Sequence, residues 1–222
     1  MSRPSGLLFD IDGTLVDTTY LHALAWWRAF AECGEPVDFY RAHRMIGAGS
    51  DVLLRELAGE DRDDIKDAWR RHFEELKGEV RAFSGAADLL RTLASRGGSV
   101  VLASSSEPED LEVLQAAIAA DDVLTAVVAS GDVDEAKPDP EVFRVAMERA
   151  GATPDRSIVV GDTTWDVEAA RRCGLRTVGV LTGGFGEAEL RDAGAIAVYR
   201  DVAHLLVELD DSPLAELVDP AS

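Results

Sequence analysis

The stretch Leu7-Leu8-Phe9-Asp10-Ile11-Asp12-Gly13-Thr14-Leu15 runs from unbroken apolar residues into two carboxylates one residue apart, followed by a glycine. That order reads as a buried strand opening into a loop. In a parallel sheet, covered on both faces, such a strand delivers Asp10 and Asp12 together at its carboxyl end, where open α/β sheets place their ligands. Two acids at one point imply a cation or a chemical task. The same residues also suit an acidic turn leaving the core, because Asp and Gly are common turn formers.

Three further signals follow, each where an apolar run gives way to a loop. Ser99-Val100-Val101-Leu102-Ala103 ends in Ser104-Ser105-Ser106 and meets a helical pattern after Pro108. Ser104 can offer its hydroxyl, and the following backbone N–H groups their hydrogens, to a phosphate oxygen; serines capping a helix are the plainer reading. Lys137, in Glu135-Ala136-Lys137-Pro138, is one of only three lysines in the chain. In a sequence that otherwise uses arginine, a lysine beside proline suggests a task for a compact ammonium, although a solvated loop lysine fits as well. Finally Ser157-Ile158-Val159-Val160-Gly161 leads into Asp162 and, four positions on, Asp166. A loop acid and one a turn into the following helix can face the same point, or Asp162 can simply be that helix's N-cap.

Taken in order, Asp10-x-Asp12-Gly13-Thr14, Ser104, Lys137-Pro138 and Gly161-Asp162-x-x-x-Asp166 resemble the four signature motifs of the haloacid dehalogenase superfamily. The match spans almost the whole chain. From residue 84 to 200 it is most similar to the phosphoglycolate phosphatase and β-phosphoglucomutase branch. The resemblance implies Asp10 as nucleophile, forming an aspartyl-phosphate. It implies Mg²⁺ held by the Asp10 carboxylate, the Asp12 backbone carbonyl and Asp162, with Asp166 acting from the outer shell. Asp12 becomes the acid and base for the leaving oxygen and the attacking water, an acid that the dehalogenases themselves lack. Lys137 and Ser104 hold the transferring phosphoryl group.

Between the first two motifs the pattern turns helical, with Leu21, Leu24, Ala25 and Trp27 to Phe30, residues 51–57 and Ile65 to Leu76 in three- and four-residue spacing. The expected organisation is therefore an α/β core of residues 1–16 and 84–222 built on a Rossmann-like parallel sheet, with an inserted helical cap at 17–83. Hinges are expected near 16–18 and 83–85. In the cap, His43-Arg44-Met45-Ile46-Gly47-Ala48-Gly49-Ser50 breaks the rhythm with two glycines. Arg44 and Gly47 are candidate substrate contacts there, as is Ser105 in the core; a plain helix-to-helix turn with a solvated Arg44 is the alternative. Of the adjacent Trp26 and Trp27, one is expected in the cap core and the other at the cleft, with an exposed tryptophan as the alternative.

Later strands are expected at 176–181 and 195–199, with a helix over Glu187 to Asp192 between them. Thr182-Gly183-Gly184-Phe185-Gly186 reads as a connection, and the chain after Asp210 as a frayed tail.

The chain has 222 residues, 46% of them hydrophobic, enough for a core. A net charge of −20 argues against electrostatic binding to nucleic acid or to an anionic membrane. Cys33 and Cys173 give neither zinc spacing nor a disulfide framework, and no apolar run approaches the ~20 residues of a membrane span. A cytoplasmic monomer is the expectation. The expected activity is Mg²⁺-dependent hydrolysis of a small phosphate monoester similar to phosphoglycolate or a sugar phosphate. A phosphomutase is the alternative, disfavoured because Ala48, Gly49 and Ser50 stand where the mutases' cap loop carries arginine. A non-catalytic binding protein is the alternative from another class.

Overall fold

A computed structural model describes residues 4–218. Six parallel strands form one sheet in the order β3-β2-β1-β4-β5-β6: β1 (Gly6–Phe9), β2 (Ser99–Ala103), β3 (Leu124–Val128), β4 (Ser157–Gly161), β5 (Arg176–Val180) and β6 (Ala197–Tyr199). The expected α/β parallel core is the observed one. Alternation along the central strands sorts side chains to two faces, as the two-residue strand period requires. Leu7, Phe9, Val100, Leu102, Ile158 and Val160 pack with α5 (Ala86–Ser95) and α10 (Val202–Val207). Leu8, Val101, Ala103 and Val159 pack with α7 (Glu141–Arg149) and α8 (Thr164–Arg172). Helices on both faces account for strands that are apolar throughout rather than alternating.

Between β1 and β2 lie α1 (Thr19–Glu32), α2 (Phe39–Arg44), α3 (Ser50–Ala58) and α4 (Asp63–Leu76). They enclose an apolar cluster of their own, with Trp26, Phe30, Leu53, Leu54, Ile65 and Ala68 buried. The chain enters and leaves this insert side by side. Val16 pairs with Ala82, Asp17 N–H donates to the Arg81 carbonyl (2.9 Å), and Phe83 N–H donates to the Leu15 carbonyl (2.9 Å).

Three expectations are corrected. Trp26 is buried at 4% exposure and also reaches the cleft, whereas Trp27 packs edge-on against Phe39 at the surface, 40% exposed. Being adjacent on one helix, the two rings point about 100° apart, so only one can face inward. The chain past Asp210 is not frayed through residue 218: Leu214 and Leu217 are buried in the main core, and Ser212 caps the turn that carries them. The apolar pair supplies what the acids and prolines obscured; residues 219–222 lie outside the described residues. A further helix, α6 (Pro108–Ile118), starts from Glu107, which makes no side-chain cap, so the serines before it are not its caps. Among the described residues no helix is long and apolar enough to cross a membrane.

Candidate active site

Register assembles the site. Phe9 of β1 lies opposite Leu102 of β2 on one side and Val160 of β4 on the other, so Asp10, Ser104 and Asp162 leave adjacent strand ends at the same level. Lys137 reaches them from the loop between β3 and α7, and Asp166 from the first turn of α8. The helix cap belongs to Thr163 rather than Asp162: its hydroxyl accepts from Asp166 N–H (3.2 Å) and donates to Asp166 Oδ2 (2.6 Å). Asp162 is thereby left free for another task.

Lys137 is 1% exposed and pairs with Asp10 Oδ1 and, at 2.8 Å, with Asp166 Oδ1. Burial works against its charge, but the two carboxylates more than offset it and hold the ammonium above its ordinary pKa. Burial likewise pushes Asp10 up to about 7 despite Lys137. Asp162, fully buried, is raised well above the usual carboxylate range by that burial and by Asp10 and Asp166.

The carboxylates of Asp10, Asp162 and Asp166 each offer an oxygen, all within 4.8 Å of one another. Thr14 Oγ1 donates to Asp162 Oδ1 (2.8 Å), while Asp162 Oδ2 is buried without a partner. Two glycines make room for that atom. A Cβ on Gly13, whose φ is +84°, would meet Asp162 Oδ2 at 2.3 Å, and one on Gly183 at 1.9 Å. Crowded hard oxygens, raised pKa values and an orphaned buried acceptor fit a cation of the Mg²⁺ class. Asp166 turns Oδ1 toward Lys137 and Oδ2 toward Thr163. The Asp12 carboxylate is not part of this group.

Asp12 faces the other way. His22 Nε2 donates to its Oδ1 (3.0 Å), Thr18 Oγ1 to the same oxygen (2.6 Å), and Ser106 Oγ to Oδ2 (2.8 Å), with Ser104 Oγ at 3.3 Å. Burial alone would raise its pKa; His22 and the hydroxyls instead hold it down to about 2. Sequence reasoning missed His22, Thr18 and Ser106, because on a helix or a polar turn they carry no motif. It also read Thr182–Gly186 as a connection. Thr182 Oγ1 donates to the Gly13 carbonyl (2.5 Å) and Gly183 abuts Asp162, so that loop braces the acids.

A cavity of about 200 Å³ opens from Asp10, Asp12 and Lys137 toward the insert, where Trp26, Met45, Ile46, Leu53 and Trp69 line it. Gly47 and Ser105 border it, and Arg44 does not. Its guanidinium binds Glu189 Oε1 (2.6 Å) and lies 3.9 Å over the Phe185 ring, on the far side of the loop. Trp165 Nε1 donates to the Arg44 carbonyl (3.2 Å), and His43 Nε2 to the Gly183 carbonyl (3.0 Å). Arg44 thus clasps insert to core, where a fixed acid offers it a better partner than an open cleft.

Residues 7–180 match the family described as haloacid dehalogenase-like hydrolase. A phosphoglycolate phosphatase of Pseudomonas putida is 30% identical, over 89% of this chain and 76% of that protein. A phosphorylated carbohydrates phosphatase of Thermotoga maritima is 29% identical, over 91% and 98%. The crystal structure of a hydrolase from Pseudomonas syringae superposes with a TM-score of 0.88 at 33% identity, over 93% of this chain and 98% of that one.

Proposed function

The chain belongs to the haloacid dehalogenase-like hydrolase family, and from that premise we propose a Mg²⁺-dependent phosphatase that hydrolyses small organic phosphate monoesters through an aspartyl-phosphate on Asp10. The carrying observation is a buried carboxylate at a sheet's carboxyl edge, paired to a buried lysine and opening into a cavity lined by the insert. Relatives named for phosphoglycolate and for phosphorylated carbohydrates support an ester of one of these kinds.

Asp10 attacks phosphorus, and the ester oxygen leaves. Lys137 and Ser104 supply fixed donors where charge spreads over the phosphoryl oxygens. Asp10 and Asp162 would hold the metal, with the Asp12 backbone carbonyl and with Asp166 in the outer shell. When bound, the ion offsets the repulsion between carboxylate and phosphate dianion. Asp12, held as a carboxylate, is in the form that takes a proton from the water hydrolysing the phospho-enzyme. His22, 3.0 Å away, is the neighbour able to return a proton to it for the leaving oxygen. The insert, residues 17–83, acts as a cap that excludes water during attack.

Phosphate release is measured from a panel of monoesters, with Mg²⁺ or EDTA, for the native enzyme and Asp10→Asn. Release that needs both the ion and Asp10 is expected. Isomerised ester without release would indicate a phosphomutase, and no reaction with any ester would sink the proposal.

A further inference from the structure

The insert touches the core behind the acids as well as in front of them. Its segment 43–49 rests on the loops that carry Lys137, Asp166 and Asp162. Gly49 N–H donates to the Lys137 carbonyl (3.0 Å). Gly47 lies so close to Thr163, the cap of the helix bearing Asp166, that a Cβ on it would meet Thr163 Oγ1 at 2.9 Å. His43 Nε2 donates to the Gly183 carbonyl (3.0 Å); a carbonyl can only accept, so Nε2 carries the proton.

Gly183 is where this contact bears on the acids. A Cβ there would come within 1.9 Å of Asp162 Oδ2, the buried oxygen without a partner, so the Gly183 backbone forms that atom's wall. On the core side, Thr182 Oγ1 ties the same loop to the Gly13 carbonyl (2.5 Å). On the insert side the tie is His43. Its ring is itself fixed, stacked on Tyr20 of α1 with centroids 5.0 Å apart and planes 3° from parallel. Gly184, at φ +80°, leaves space for both rings, since a Cβ there would meet His43 Nε2 at 2.8 Å and Tyr20 Oη at 2.7 Å. A ring already held by stacking gives up little further freedom in binding the carbonyl. Small hard cations demand near-ideal geometry, and the groups behind the ligands set it.

We propose that His43 is a positioning residue of the cation site: through the Gly183 carbonyl it seats loop 182–184 against Asp162 and so links docking of the insert to cation affinity. The inference rests on the metal-dependent phosphatase reading and extends it to a residue of the insert that touches neither ion nor ester. By linkage, whatever the docked insert adds to the ion's affinity, the ion returns to the docking of the insert.

The test measures Mg²⁺ affinity by calorimetry on substrate-free protein, for the native chain, His43→Ala, His43→Gln and Arg44→Ala. His43→Ala should weaken binding about tenfold, the order for a group lying behind a ligand. His43→Gln, whose amide still donates to a carbonyl, should lose less than about threefold. Arg44→Ala loosens the same face of the insert through Glu189 and Phe185, and should leave the affinity within about twofold. In turnover of p-nitrophenyl phosphate, saturating Mg²⁺ should return kcat of His43→Ala to within about threefold of native, with KM unchanged. Hydrogen exchange in the peptide spanning 43–49 should slow when Mg²⁺ is added to the native protein, and not in His43→Ala. Equal Mg²⁺ affinity in the native protein and His43→Ala overturns the proposal, as does an equal loss in Arg44→Ala or a kcat deficit that Mg²⁺ does not restore. Exchange at 43–49 indifferent to Mg²⁺ in the native protein overturns it without any variant. Absence of Mg²⁺ binding by the native protein removes the metal reading as well.

Discussion

At the sheet edge, charges are buried and answered by charges: Lys137 lies between Asp10 and Asp166, and Asp12 sits among His22 and three hydroxyls. The opposing wall of the insert is apolar, with Trp26, Trp69, Met45, Ile46 and Leu53, and its polar groups stand at the rim. Reaction chemistry tolerates little variation in where charge lies, so the first region is over-determined. Selectivity needs only shape and the sign of a field, so the second is built from ordinary packing residues.

The most disruptive way to break this division is Asp10→Asn. It should lower kcat at least about 10⁴-fold, the order seen when a covalent nucleophile is removed. In EDTA it should nevertheless raise thermal stability. The folded pKa of Asp10, about 7, lies above its ordinary 3.8. The native metal-free protein therefore loses stability as pH rises from that ordinary value to about 7, and the variant shows a shallower slope, that of Asp162 remaining. A melting series from pH 4 to 8 checks the sign; Mg²⁺ should restore the native protein most at the upper end.

Lys137→Met comes next. Removing one partner of a buried ion pair should cost about 3–5 kcal/mol of stability in denaturant titration. In whatever folds, kcat should fall about 10²- to 10³-fold, as on loss of a transition-state donor. His22→Ala acts on Asp12 alone. The carboxyl pKa should rise from about 2, and the acid limb of the kcat/KM profile should move to higher pH with it, at a cost of roughly 10- to 100-fold in rate. An unmoved limb would mean that Asp12 does not depend on His22.

The smallest effect is expected for Arg44→Ala. An exposed pair to Glu189 and a cation–π contact with Phe185 together stabilise by about 1 kcal/mol. KM should change less than about threefold, since the residue reads no substrate; a tenfold rise would put Arg44 back in the cleft.

The sheet edge was legible because each of its acids ends an apolar run, and a strand end is the one place where sequence order fixes depth in an α/β fold. Strand β3 lacked that mark. Its Leu124-Thr125-Ala126-Val127-Val128 is an edge, mostly half-exposed, and follows an acidic turn. The insert wall hid for the opposite reason, since tryptophans at helical spacing read as core and here Trp26 is core and wall together. Arg44 misled because a guanidinium beside glycines suggests recognition, while its acid partner lies 145 residues further along the chain. Long-range pairing of surface charges leaves no local trace.

The insert's two connections, paired antiparallel through Val16 and Ala82 and bonded at Asp17 and Phe83, hold its ends side by side. A segment whose ends are already closed demands almost no loop-closure entropy from the body it joins, whatever its length. Its tryptophan-lined core is also separate from that of the sheet. The molecule is thus a graft in the horticultural sense: a scion with an apolar core of its own, set on its rootstock at one paired union.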